Sequence, residues 1–136
     1  MRRFLNGTIA ALATLCLAGL AQSAAGQNPG GSAEGKAMKN PVPVNAATIA
    51  AGKALYDRNC RFCHGNDAAG NGPMAPKDTH PANLIDDVWD RGSTDGEIFL
   101  AIQKGAGPKM EMKGYEGKLK DDQIWQVVNY LRSLHK

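Results

Sequence analysis

Cys60-Arg61-Phe62-Cys63-His64 sets two thiols three positions apart with an imidazole directly after them. This is the C-x-x-C-H spacing of c-type haem attachment. At a helix end, each thiol can add to one haem vinyl group as a thioether. The adjacent His64 is then held under the iron as proximal ligand. Other chemistries of paired cysteines fit less well. A redox dithiol needs no following His and expects a βαβ context, which the pattern does not offer. A structural zinc site needs four closed ligands, and His80 and His135 are not at zinc-like spacing. A disulfide between cysteines this close in sequence is geometrically awkward.

A covalent haem raises the question of a sixth ligand. A thioether is soft and neutral, so His/Met ligation favours ferrous iron and suits electron transfer. Beyond the N-terminal segment the candidates are Met38, Met74, Met110 and Met112. Met74 follows His64 by only ten residues, in the loop leaving the proximal side. Met110 and Met112 lie much further along, in a loop able to reach the other haem face. Packing is the ordinary use of any one methionine.

The elements that position these groups follow from pattern. The 136 residues suit one domain. Arg2 and Arg3, an apolar stretch to Ala21 and the small residues Ser23, Ala24 and Ala25 read as a secretory signal peptide over 1–25. Cys16 falls inside it. Gly and Pro crowd residues 26–44, which read as a flexible linker. The folded unit is then 45–136. Asn45 suits the N-cap of a helix to about Arg58. Residues 65–81 read as an extended loop, and 83–89 as a short helical turn. Thr94 and Glu97 fit a capping box that opens a helix to about Lys104. Residues 105–119 read as an irregular loop. Ile124, Val127, Val128, Leu131 and Leu134 then mark one face of a helix over 121–134. No segment alternates like a strand, so the fold class is all-α with long loops.

Cys60–Gly65, the Met112-Lys113-Gly114-Tyr115 loop, and Leu119 with the helix over 121–134 resemble a bacterial class I cytochrome c. The resemblance covers residues 41–134. It implies a small helical fold around one covalent haem c, attached through Cys60 and Cys63. It also implies His64 and Met112 as axial ligands, with Met110 as runner-up because Lys113 stands where the family's M-P-x-[FY] has proline. Gly52 and Tyr56 match the positions through which the family crosses its first and last helices. The family holds the proximal His through a proline carbonyl, for which Pro81 and Pro73 are candidates. Lys120 replaces the usual Ser or Thr cap of the last helix, leaving Asp121 as an alternative.

The expected function is one-electron transfer in the periplasm between redox protein partners, without catalysis. The alternative is a haem subunit or dedicated acceptor of a periplasmic dehydrogenase or oxidase. An open-site haem enzyme is disfavoured by two methionines in the distal loop. Formal net charge is +3, too mild for nucleic acid. Membrane association is expected only if the N-terminal segment stays uncleaved. Five lysines and two acids between Lys104 and Lys120 contrast with eight acids and four basic residues between Asp57 and Glu97. This dipole predicts that an acidic partner face docks beside the Met loop.

Overall fold

A computed structural model describes residues 31–87, 89–107 and 111–135. The segment expected to be a signal peptide, together with Met110, lies outside the described residues. In chain order the elements are α1 (Ala33–Ala37), α2 (Ala46–Asn59), α3 (Arg61–His64), α4 (Asp95–Lys104), β1 (Gly105–Ala106), β2 (Met112–Lys113) and α5 (Asp121–Leu134).

The helix ends follow the caps in the sequence. Asn45 Oδ1 accepts from Thr48 N at 3.0 Å, and Thr48 Oγ1 accepts from Asn45 N at 3.1 Å. Thr94 and Glu97 close the same reciprocal box on α4. At α5 neither Asp121 nor the Lys120 side chain performs this task. Gln123 Oε1 reaches back to accept from Lys120 N at 3.0 Å. The described residues of the 83–89 segment are not helical; 84–87 are bends, and Asn83 Oδ1 accepts from Ile85 N.

The core sits where α2 crosses α5. A Cβ at Gly52 would lie 1.9 Å from the Gln126 carbonyl oxygen, so only glycine permits this approach. One turn later Tyr56, fully buried, meets Tyr130 at 5.3 Å between ring centroids. Ile98, Phe99 and Ile102 of α4 close the third side, with Phe99 stacked on Trp125 at 4.3 Å.

Two regions depart from expectation. Residues 31–44 fall within the stretch read as a linker, yet they are packed onto the helices. Gly35 is buried against Glu97 on α4, and a Cβ on Gly96 would strike the Gly35 carbonyl. Asn129, buried on α5, accepts from Asn40 Nδ2 at 2.7 Å and donates to the Pro43 carbonyl at 3.2 Å. Here the glycines allow close contact rather than flexibility, and a buried amide supplies the partners that the strap's backbone needs. The second departure is a minimal antiparallel pairing, Gly105 with Lys113 and Ala106 with Met112. Gly105, at φ +90°, ends α4 and turns the chain into it.

Candidate haem site

The cysteine motif is built on the end of α2. Cys60 N donates to the Tyr56 carbonyl at 2.8 Å, which carries the helix onto the first thiol. The single turn α3 follows, with His64 N donating to the Cys60 carbonyl at 2.9 Å. Gly65, at φ +85°, releases the chain, and its carbonyl accepts from the Tyr56 hydroxyl at 2.7 Å. The following loop folds back along the motif. Gly70, Gly72 and Met74 donate in turn to the carbonyls of His64, Cys63 and Phe62. A Cβ on Gly72 would lie 2.4 Å from the Phe62 oxygen, so this return path needs glycine.

His64 is buried, and its Nδ1 lies 3.0 Å from the Ala82 carbonyl. A carbonyl only accepts, so Nδ1 carries the proton and Nε2 keeps its lone pair. Burial lowers the His64 pKa, and the Ala82 bond partly opposes that shift. The ring is thus held neutral, in the tautomer that a metal requires. The carbonyl is that of Ala82, not of Pro81 or Pro73. Chain tracing through an irregular loop fixes which carbonyl arrives, and no periodic signal marks it. The Pro81 carbonyl instead lies against Gly70.

Cys60, His64 and Met112 meet at one cavity, whose other walls are largely apolar: Tyr56, Leu84, Ile98, Ile102, Val127 and Leu131. Trp89 and Arg91 also line it, Arg91 being its charged member. Burial, then the nearby Cys63, pushes the Cys60 thiol up to about 12. Cys63 is half-buried on the same turn, with Sγ 3.7 Å from the Met74 carbonyl oxygen. No disulfide joins Cys60 and Cys63.

The other described methionines, Met38 and Met74, are elsewhere. Met74 is 67% exposed, and Met38 packs where α1 meets α4. Met112 arrives on β2, and the segment after it is tied to the cysteine side. The Tyr115 hydroxyl donates to the Asn59 carbonyl at 2.7 Å, one residue before Cys60. Tyr115 N and Glu116 N donate to the Ile102 and Gln103 carbonyls. This role of Tyr115 was missed from sequence, although its place three residues after Met112 was its signal.

The family model for cytochrome c oxidase, cbb3-type, subunit III matches residues 47–131. The chain belongs to this family of c-type cytochromes. The cytochrome is 36% identical over 102 residues to the CcoP subunit of a cbb3-type oxidase from Azospirillum brasilense, covering 67% of this chain and 32% of that one. It therefore spans about a third of the length of that relative. It is also 33% identical to cytochrome c6 of Chlorolobion braunii, over 62% of this chain and 89% of that one. A chain of the Kuenenia stuttgartiensis reducing HAO-like protein complex superposes with a TM-score of 0.63 at 25% identity, covering 71% of this chain and 47% of that one. The cofactor of this cytochrome is haem c, and the cavity fits it. An apolar slot flanked by Cys60, a neutral buried imidazole and a thioether suits a flat porphyrin. The class I resemblance and the helical fold both stand, with little strand.

Proposed function

We propose that this electron-transfer haem protein is a periplasmic one-electron carrier with both axial positions filled by the chain. The supporting observation is the meeting of Cys60, His64 and Met112 at one apolar cavity. Cys60 and Cys63 hold the haem through thioethers. His64 Nε2 and Met112 Sδ would hold the iron, with burial keeping the imidazole neutral and the Ala82 carbonyl orienting it. Bound haem supplies a Fe(III)/Fe(II) couple. The apolar walls keep water from the iron and limit reorganisation as the charge changes. A chain that fills both axial positions makes and breaks no substrate bond. Spectra of the holoprotein test this reading. Six-coordinate low-spin haem in both states, with a sulfur-to-ferric-iron charge-transfer band, is expected; high-spin haem that binds cyanide readily would overturn it.

The family match favours a narrower reading alongside it, in which the cytochrome passes electrons to a membrane oxidase as a subunit or dedicated donor. Among the described residues no helix is long and apolar enough to cross a membrane. Docking on this reading uses the exposed lysines of the Met loop. Lys113, Lys118 and Lys120 are exposed, whereas Lys104 is paired with Glu34 at 3.1 Å. An acidic partner face would be steered to that rim, and the rate of electron transfer would fall as salt rises. A salt-independent rate, or one unchanged in Lys113→Glu with Lys118→Glu, would remove the rim from docking.

A further inference from the structure

Residues 89–94 belong to no helix or strand, yet Trp89, Arg91 and Gly92 of this stretch line the haem cavity. They form a turn in which Gly92, buried at φ +92°, donates its N–H to the Trp89 carbonyl at 3.3 Å. That distance is longer than the usual range for such a bond, so the turn needs support from outside to serve as a wall.

The support comes from α5. One guanidinium, that of Arg132, meets the stretch and the start of α4 three times. Nε donates to Asp95 Oδ1 at 2.7 Å, Nη2 donates to the Ser93 carbonyl, and Cζ lies over the Trp89 ring, 5.8 Å from its centroid. Leu131, the preceding residue, lines the cavity from α5 itself. Adjacent residues of one helix thus form one wall of the cavity and fasten another. Charge alone does not explain the arrangement. The Arg132 and Asp95 side chains are 33% and 40% exposed, and a pair so open to solvent adds little to stability by itself. The three contacts call for a planar fork that donates to two acceptors while its face covers an aromatic ring. Lysine carries the same charge at a single point and cannot make all three at once.

We propose that Arg132 is a positioning residue that keeps the Trp89–Gly92 turn closed as a wall of the haem cavity and so keeps water out of it. Water solvates the extra charge of ferric iron better than an apolar wall does. A loosened wall therefore favours the ferric state and lowers the potential. A purely Coulombic role makes different predictions. On charge alone, Arg132→Lys leaves the potential where it is, and loss of the Asp95 anion raises it. If the clamp sets the wall, both changes lower it.

This inference rests on the haem reading of the cavity. The test uses the intact holoprotein. In Arg132→Lys, amide hydrogen exchange at Gly92 should become about tenfold faster as the turn opens locally, while amides of α2 keep their wild-type rates. The midpoint potential of the same variant should fall by about 20–60 mV, a two- to tenfold shift towards ferric iron at 59 mV per tenfold for one electron. Asp95→Ala should lower the potential as well, against the sign expected from the lost anion. A potential that fails to fall in either variant would overturn the proposal. So would Gly92 exchange at the wild-type rate in Arg132→Lys. A preparation with no reversible haem couple would fail the site reading itself, and the proposal with it.

Discussion

On the cysteine side of the cavity, residues 62–64 have each carbonyl taken by an N–H of the returning loop. The histidine ring is tied in turn to Ala82. On the methionine side, the described residues of 105–119 make a two-residue pairing, two backbone bonds to the end of α4 and a tyrosine hydroxyl bond, among other contacts. The difference separates two tasks. The first side fixes attachment and the proximal ligand, and it is continuous with the α2–α5 core. On the proposed function, the second presents the methionine ligand, whose identity would set the potential, and its loss is expected to leave the helices in place.

The sharpest way to break this division is to remove the attachment. In Cys60→Ala with Cys63→Ala, nearly all covalent haem should be lost, and the apoprotein should be largely unfolded by circular dichroism. The cavity lies among core residues of α2, α4 and α5, so an empty site leaves them without a common partner. Haem that extracts into acid-acetone from the wild type would contradict the thioether assignment.

Changing the methionine side should act on the iron rather than on the fold. Met112→Ala should open the iron to water and cyanide and lower the potential by on the order of 100 mV, since axial ligands tune haem over a range of about 0.8 V. Helical content should persist. Met110→Ala should leave the spectrum unchanged; the reverse pattern would move the ligand to Met110.

What was legible in the sequence divides along similar lines. The helices over 46–59, 95–104 and 121–134 could be read because their signals are local: Asn45, the Thr94–Glu97 box and the apolar spacing from Ile124. The cysteine motif was legible because its chemistry fits within five residues. The strap over 31–44 was not, because its glycines matter through contacts with Glu97 and Gly96, more than sixty positions away. The Ala82 carbonyl and the 105–113 pairing were hidden for the same reason, since each depends on where an irregular loop returns.

The helix crossing offers a test on the attachment side that spares the iron. Gly52→Ala places a methyl 1.9 Å from the Gln126 oxygen and 3.0 Å from Tyr130 Cβ. Backbone lies on one side and a core ring on the other, so the helices must move apart. The expected cost is about 1–3 kcal/mol, the usual range for overpacking, read as a lower Tm. The potential should hold, because Gly52 does not line the cavity. An unchanged Tm would show that the crossing is looser than the contacts imply.

The smallest change probes a side-chain bond between the two sides. Tyr115→Phe removes the hydroxyl that donates to the Asn59 carbonyl at 2.7 Å and keeps the ring. Burial raises the Tyr115 pKa above its ordinary value, so the neutral donor is the form present at any pH near neutrality. Its loss should cost about 1 kcal/mol, because the half-buried carbonyl is left without that partner. If the tyrosine ties Met112 to the cysteine side, the cost should appear at the iron before it appears in the helices. The charge-transfer band from Met112 should then bleach at lower temperature or lower denaturant than the far-ultraviolet signal, by a wider margin than in the wild type. Coincident transitions in the variant would mean that the Met loop and the core unfold as one unit, and that the division between the two sides ends at the chemistry of the ligands.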